Sequence, residues 1–210
     1  MDAEWRRKVD CMTTAESWKT LYGDKKKVQG DHSVWGPGNV YRNSAQLVEL
    51  LPEILTDLYI KTFFDVGCGD FLWLSKVIMK GVDYTGVDIV AEMIEDNRTK
   101  YPSHSFDTMN IIDEVPPMVD MIFMRSVLIH TSLDDCKKII ANVKQSGSKY
   151  LMVSTMPLVE KNADTSHLWL VQRNLLLEPF NLPEPLYLIP EMNRDDVNNF
   201  MGIWEINDIN

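Results

Sequence analysis

The sequence predicts an α/β fold: a seven-stranded, mostly parallel sheet with helices on both faces and an antiparallel hairpin at its carboxyl-terminal end. Three observations lead to this fold class. Strand and helix patterns alternate over residues 61–155, which is typical of parallel strands joined by helical crossovers. A glycine-containing turn, "DVGCGD", ends the first of these strands. Two further strand patterns close the chain, so the parallel sheet is expected to end in a hairpin.

The first part of the chain is predicted to be helical. Residues 3–22 form a first helix, and 23–39 are an irregular connection rich in Gly, Lys and Asp. Apolar residues then recur at helical spacing over 44–58, behind Ser44 as the expected N-cap and despite an internal proline.

The alternating part supplies the first five strands. In order, the prediction is a strand at 61–66, a helix at 71–79, a strand at 83–89, a helix at 90–100, a short strand around 104–107, a strand at 119–124, a helix at 133–145 after the N-cap Ser132, and a strand at 149–155.

The remaining chain is predicted to hold a long irregular segment and the hairpin. Residues 156–185 are rich in Pro, Asn and Glu, and the segment is too long for an idle connection. The two closing strands are expected near 186–190 and 201–206.

Length and charge limit the class of protein. A chain of 210 residues predicts one domain, with a helical cap and lid loop over 1–43 and the main domain over 44–210. The 31 acidic and 21 basic side chains give a formal charge of −10, which disfavours extended nucleic-acid binding. No apolar run is long enough to span a bilayer, and the charged first ten residues do not form a signal peptide. Three cysteines without a CxxC pair predict reduced thiols, so a cytoplasmic protein is expected.

The turn after the first strand is the expected ligand site, because open parallel sheets bind ligands beyond the carboxyl ends of their strands. Gly67 and Gly69 allow a ligand to come close to the backbone, and the helix expected next would offer free N–H groups. Asp88 ends the second strand 19 residues after Gly69, where an acid can bind both hydroxyls of a ribose. These features fit a dinucleotide or another adenosine ligand; a tight turn without a ligand is the remaining alternative.

Two details favour an adenosine ligand that carries a positive charge. Leu72 stands where the dinucleotide fingerprint needs a third glycine. Asp65 and Asp70 flank the glycines, where they would repel a pyrophosphate and attract a cation. S-adenosylmethionine carries an amino group and a sulfonium, so this cofactor fits the loop.

The same residues resemble the class I S-adenosylmethionine-dependent methyltransferases, whose fold is Rossmann-like. The segments "GCGDFLWL", "MRSVLIHTSLDD" and "RNLLLEPFNLPEPL" are similar to a family of small bacterial-type methyltransferases with the patterns CGDFxWM, RDxLxHL and NLxxPPFxFPEPL. This resemblance covers about 33–205, and "WGPGN" looks like the GPGS loop of that family. The sequence departs from the wider superfamily at Phe71, where glycine is frequent, and at Asn110, which occupies the acidic position expected to face adenine. It departs from the RDxLxHL pattern at Ser126, which replaces an aspartate.

The predicted cofactor site combines these motifs. Trp35 is expected to act from a lid near the sulfonium through a cation–π contact, and Cys68 is expected to be a small residue in a close turn. Asn110 can still accept a hydrogen bond from the adenine amine. The full set of predicted cofactor contacts is Trp35, Asp65, Gly67, Cys68, Gly69, Asp70, Trp73, Asp88, Ile89, Asn110, Ile111 and Arg125.

His130 and Arg125 are the catalytic candidates. His130 lies near a helix N-terminus that disfavours the imidazolium, so its neutral ring could accept a proton; a structural histidine is the alternative. Arg125 ends the fourth strand and could bind a carboxylate of the cofactor or substrate, or pair with a neighbouring acid. Arg173 and Asn174 are candidate acceptor contacts. The four histidines are far apart in sequence, so no metal site is predicted.

These residues predict an S-adenosylmethionine-dependent methyltransferase that acts on a small molecule, such as a sugar or another hydroxyl acceptor. The segments 31–44 and 156–185 are expected to close the acceptor pocket, because they are the long irregular parts of the chain. Two alternatives remain open. One is an aminopropyl-type transferase on the same fold, and the other is a non-catalytic S-adenosylmethionine-binding partner protein, as the serine at position 126 would allow.

Overall fold

The computed structural model describes residues 14–26, 41–165, 169–191 and 198–209. Within these residues one sheet has the strand order β3-β2-β1-β4-β5-β7-β6. Its strands are β1 (Thr62–Val66), β2 (Asp83–Asp88), β3 (Ser105–Thr108), β4 (Met121–Met124), β5 (Tyr150–Thr155), β6 (Tyr187–Pro190) and β7 (Phe200–Glu205). The helices are α1 (Thr14–Lys26), α2 (Tyr41–Asp57), α3 (Ala91–Lys100) and α4 (Leu133–Gln145).

The sheet is parallel from β3 through β5, and β7 runs antiparallel to both β5 and β6. Apolar residues of α2 and α3 pack on one face of the sheet, and those of α4 pack on the other. The predicted fold class, a mostly parallel seven-stranded sheet between helices with an antiparallel carboxyl-terminal pair, is therefore confirmed. Among the described residues, no helix is both long enough and apolar enough to cross a membrane.

The predicted helix over 71–79 is wrong, because this segment contains only the short 3-10 turn Leu74–Lys76. Phe71 has a φ of 56°, in the left-handed region, so a right-handed helix cannot include it. Its ring lies 4.8 Å from that of Tyr84 and 5.2 Å from that of Phe106, measured between ring centroids. The backbone therefore takes an unfavourable conformation that places a large ring in the core.

Of the two serines predicted as N-caps, one caps its helix and the other does not. Ser132 caps α4 as expected, since its hydroxyl accepts a hydrogen bond from the Asp135 N–H at 3.2 Å. Ser44 is not a cap, because α2 already begins at Tyr41 and Ser44 is buried within the helix. Helix α1 continues to Lys26, four residues beyond its predicted end, and the first part of that prediction lies outside the described residues.

Candidate active site

A cavity of about 530 Å³ lies at the carboxyl ends of β1, β2 and β4. This is the edge where a parallel sheet offers its strand-to-helix loops to a ligand. Helix α1 contributes Thr14, Trp18 and Leu21 to the lining. Of the residues predicted for the site, the following line this one cavity: Asp65, Gly67, Cys68, Gly69, Asp70, Trp73, Asp88, Ile89, Asn110, Ile111, Arg125 and His130.

The glycine turn is folded back onto β2. The N–H groups of Gly67 and Cys68 both donate to the carbonyl oxygen of Val87, at 2.8 and 3.0 Å. Gly67 has a φ of 72°, and a Cβ at this position would lie 2.7 Å from a methyl carbon of Val127. Glycine is therefore required at position 67 both by the backbone conformation and by the close approach of Val127 in the loop after β4.

Asp88 connects the end of β2 to the glycine turn. Its carboxylate accepts the Gly69 N–H at 3.2 Å and the Val90 N–H at 3.1 Å. Burial raises the pKa of Asp88 to about 6, although these N–H donors act in the opposite direction. The remaining lone pairs of this carboxylate can accept hydrogen bonds from a diol in the cavity.

Asp65 lies at the end of β1 and is buried. The Tyr84 hydroxyl donates to its Oδ2 at 2.8 Å. Burial raises the pKa of Asp65 to about 7, and the nearby Asp88 charge adds to this rise, while the Tyr84 hydrogen bond and the Arg125 charge oppose it. Asp70 also lines the cavity, so Asp65, Asp70 and Asp88 together place three carboxyl groups in its lining.

Cys68, between the two glycines, is buried. Its pKa is raised well above the ordinary value, first by burial and then by the charges of the surrounding aspartates. The thiolate, the reactive form of cysteine, is therefore disfavoured, which fits the expected role of a small residue in a close turn.

Ile89, Ile111 and their neighbours Met109 and Ile112 contribute apolar side chains to the cavity lining. Asn110 lies among them, but its side chain also holds its own turn together. Its amide donates to Asp113 at 2.6 Å, and its carbonyl accepts the Ile112 N–H at 3.2 Å. One lone pair of the amide oxygen therefore remains for the predicted contact with an adenine amine.

Arg125 forms a buried ion pair that the sequence did not identify. Its Nε donates to Oε1 of Glu191 at 2.8 Å, and its guanidinium carbon lies 4.9 Å from the centre of the Trp73 ring. Of the options left open for Arg125, pairing with a neighbouring acid is present in the structure. The acid is 66 residues away in the chain, so no local pattern could have identified it.

His130 ends a 3-10 turn, Leu128–His130, just before α4. Its ring meets the Trp18 ring of α1 edge-on, with 5.6 Å between ring centroids. Both residues line the cavity, so α1 and the loop after β4 approach each other across it. Helix α1 is further tied to α3, because the Tyr22 hydroxyl donates to Asp96 at 2.5 Å.

Arg173 and Asn174, the predicted acceptor contacts, are not among the residues that line this cavity. Arg173 is fully buried and donates to the carbonyl oxygens of Leu128, Ala163 and Thr131. Asn174 is also buried and donates to two backbone carbonyls of the 156–185 segment. Both side chains hold irregular backbone in place, because buried carbonyls without a ladder partner need donors.

Other residues of the 156–185 segment reach the cavity instead. Met156, Leu170 and Gln172 contribute to the lining, as does Asn199 next to β7. Gln172 is the direct neighbour of Arg173, so the 156–185 segment lines the cavity through side chains other than the two predicted ones. The predicted lid residues 31–40, including Trp35, lie outside the described residues.

No group of three or more His, Cys, Asp or Glu side chains that could hold a metal ion occurs within the described parts of the chain. The two described cysteines, Cys68 and Cys136, are both free and buried.

Comparison with known proteins agrees with this architecture. Residues 64–146 match a family model described as a methyltransferase domain. This segment contains the glycine turn, Asp88, Arg125 and His130. No curated protein matches the chain.

Several solved structures share the fold. Magnesium protoporphyrin IX methyltransferase (ChlM) from Synechocystis PCC 6803, solved with bound SAH, is 15% identical with a TM-score of 0.64, over 90% of this chain and 96% of that one. The methyltransferase domain of bacterial CtHen1 is also 15% identical, with a TM-score of 0.58, over 76% of this chain and 97% of that one. The N-methyltransferase NodS from Bradyrhizobium japonicum WM9, in complex with SAH, is 14% identical with a TM-score of 0.52, over 65% of this chain and 73% of that one.

At such identities the similarity shows the fold alone. The chain therefore has the Rossmann-like fold that these methyltransferase structures share, as the sequence predicted.

Proposed function

We propose that the chain binds S-adenosylmethionine in the cavity at the carboxyl ends of β1, β2 and β4, and transfers its methyl group to a small molecule that carries a hydroxyl, such as a sugar. The observation that carries this proposal is the set of three carboxyl groups, Asp65, Asp70 and Asp88, around a glycine turn in a cavity that is also lined by many apolar side chains. A cationic adenosine ligand complements both the acidic and the apolar residues of such a cavity.

The residues fit the cofactor in detail. Each oxygen of Asp88 already accepts one backbone N–H, so the carboxylate is held in place and its remaining lone pairs can accept the ribose hydroxyls. Ile89 and Ile111 supply an apolar slot for the adenine ring, and Asp65 and Asp70 attract the positive amino group and sulfonium. ChlM and NodS, which share this fold, were both crystallised with SAH.

When bound, the cofactor supplies an already activated methyl group, so the protein has three tasks: to align the acceptor, to exclude water and to remove a proton. His130 is the proposed proton acceptor, because it lines the same cavity just before α4. The Trp18 ring restrains the imidazole from the side of α1. Met156, Leu170 and Gln172 are the proposed acceptor contacts in place of Arg173 and Asn174.

Calorimetry with S-adenosylmethionine and SAH tests the binding part of the proposal. Asp88→Ala is expected to weaken binding by ~2–4 kcal/mol, because a charged acceptor of two ribose hydrogen bonds is lost. Asp107→Ala is the matched control, since this exposed acid stands on the adjacent strand β3 outside the cavity. Tight binding of NAD by the wild-type chain, without affinity for S-adenosylmethionine, would contradict the proposal.

The acceptor is sought by measuring SAH release with panels of sugars and phenols. With an active acceptor, His130→Ala is expected to lower turnover ~100-fold with nearly unchanged cofactor affinity, because only proton removal is affected. His104→Ala is the control, a histidine that packs against Phe71 outside the cavity. Equal turnover in both variants would remove His130 from the mechanism. Cofactor binding without release of SAH for any acceptor would favour the non-catalytic partner protein.

A further inference from the structure

Glu191, directly after the edge strand β6, has a fully buried side chain. Its two carboxylate oxygens have different partners. Oε1 accepts the Nε–H of Arg125 at 2.8 Å, and Oε2 accepts the hydroxyl of Ser154 at 3.0 Å. Glu191 does not line the cavity, and no sequence motif identified it.

Both partners connect Glu191 to the cavity wall. The Ser154 hydroxyl oxygen accepts the backbone N–H of Ser126 at 2.9 Å, and Ser126 has a φ of 59°, a left-handed conformation that serine rarely adopts. Arg125, the residue before it, packs its guanidinium over the Trp73 ring. One carboxylate thus links the side chain of Arg125 and the backbone of Ser126, which both line the cavity.

A buried ion pair contributes little to stability compared with an apolar pair of similar volume, because both charges lose their hydration. Such a pair can instead fix the orientation of a group. Arginine recognises carboxylates through the fixed geometry of its planar guanidinium group. The strength of this interaction therefore depends on the orientation of the guanidinium plane. Here the Nε contact with Glu191 and the stacking on Trp73 hold the plane from two directions.

We propose that Glu191 is a positioning residue that orients Arg125 toward the carboxylate of the methionine part of the bound cofactor. The inference rests on the proposed function, because it needs S-adenosylmethionine in the cavity. It assigns a role to a residue that touches neither cofactor nor acceptor. Glu191 also places a negative charge beside Arg125, which by itself would weaken anion binding; the fixed orientation is proposed to outweigh this repulsion.

A double-mutant cycle read by calorimetry tests this role without any acceptor. The ligands are SAH and 5′-methylthioadenosine, which keeps the adenosine and sulfur but lacks the amino-acid part. Arg125→Met is expected to weaken SAH binding about 10-fold in the wild-type background and less than about 3-fold in the Glu191→Gln background. Glu191→Gln alone is expected to weaken SAH binding about 5-fold and to leave 5′-methylthioadenosine binding within about 2-fold of the wild type.

Three outcomes would overturn the inference. One is an equal or larger effect of Arg125→Met in the Glu191→Gln background, which would mean that Glu191 only screens the charge of Arg125. Another is a parallel loss of affinity for both ligands, as a general structural defect would give. The third is unchanged SAH binding in Glu191→Gln. A wild-type chain that binds neither ligand would instead contradict the proposed function.

Controls separate positioning from folding. Glu205→Gln changes a partly buried carboxylate at the opposite end of β7, outside the cavity, and should leave the affinities for both ligands unchanged. If Glu191→Gln does not fold, Ser154→Ala removes the second contact of Glu191 while keeping its charge. This variant should weaken SAH binding more than 5′-methylthioadenosine binding, and equal effects on the two ligands would refute the positioning role.

Discussion

A substitution at Asp65 tests whether the carboxyl groups of the cavity strengthen cofactor binding while they lower the stability of the unliganded protein. Its pKa rises from an ordinary 3.8 to about 7, mainly because of burial. A carboxyl group whose folded pKa is raised contributes stability that is fully present below the unfolded pKa and is lost as the pH rises through the folded pKa. We therefore expect the unliganded protein to lose stability between about pH 4 and pH 7 through this residue.

Asp65→Asn removes the charge and keeps the shape, and the Asn carbonyl can still accept the Tyr84 hydroxyl. Between pH 5 and pH 8.5, ionisation of Asp65 lowers the free energy of unfolding of the wild type by up to ~3 kcal/mol. This value follows from 1.36 kcal/mol for each pH unit between pH 5 and the folded pKa of about 7. The variant does not bear this cost. Its stability relative to the wild type should therefore increase by ~2–3 kcal/mol between the two pH values. Comparing two pH values cancels differences in packing and hydrogen bonding between Asp and Asn.

The measurement is urea denaturation of the unliganded wild type and variant at pH 5 and pH 8.5, followed by calorimetry with S-adenosylmethionine at pH 8.5. The variant is expected to bind the cofactor ~30-fold more weakly, because an attraction of ~2 kcal/mol between the carboxylate and the cationic ligand is lost. Greater stability combined with weaker binding is typical of a residue selected for its ligand.

Asp120→Asn is the matched control. The Asp120 carboxylate accepts the N–H groups of Lys61 and Thr62, and these bonds hold its pKa below the ordinary value despite some desolvation. Its stabilisation is present above the unfolded pKa and is lost as the pH falls through the folded pKa. This variant should lose stability at both pH 5 and pH 8.5 and keep its cofactor affinity. The reasoning on Asp65 is refuted if Asp65→Asn shows no pH-dependent gain, or if it binds S-adenosylmethionine as tightly as the wild type.

Three further predictions follow from the site. Arg173→Met should lower the free energy of unfolding by ~3 kcal/mol, because three backbone carbonyls, two of them buried, lose a hydrogen bond from Arg173, while the folded variant should keep its cofactor affinity; a selective loss of acceptor affinity would restore Arg173 as a contact. Cys68 should resist iodoacetamide in the native protein and react only after unfolding, since burial raises its pKa; mass spectrometry of labelled peptides measures this, and rapid native labelling would contradict it. Methyl transfer to an active acceptor should be unchanged by EDTA, and a loss restored by a divalent ion would show a metal requirement.

Most of the residues predicted as cofactor contacts line one cavity, because their positions depend on local features. The glycines of "DVGCGD" fix a turn, and a strand that ends at Asp88 must place its carboxylate at the same edge as that turn. Strand periodicity gave the parallel sheet, and the succession of two closing strands gave the antiparallel pair. Each of these features is determined by a few neighbouring residues and by the general geometry of parallel sheets.

The sequence failed where a local preference competed with packing. The apolar pattern over 71–79 suited a short helix, but Phe71 takes a left-handed backbone conformation so that its ring fills the aromatic core beside Tyr84 and Phe106. In the 156–185 segment, Arg173 points inward to buried carbonyls while its neighbour Gln172 reaches the cavity. Because the apolar residues of this segment have no regular spacing, its sequence does not show which of two adjacent side chains faces inward.

By itself, then, the sequence determined the fold class, the glycine turn and the acids that suit a cationic adenosine ligand. Only the tertiary structure decided that Glu191 holds Arg125, that Trp18 of α1 meets His130, and that Gln172 rather than Arg173 lines the cavity. These pairs join residues 66 and 112 positions apart in the first two cases. A buried charge is stable only where a partner pairs with it, a ring packs against whatever surface the fold places beside it, and in both cases the packing of the whole chain decides which distant residue that is.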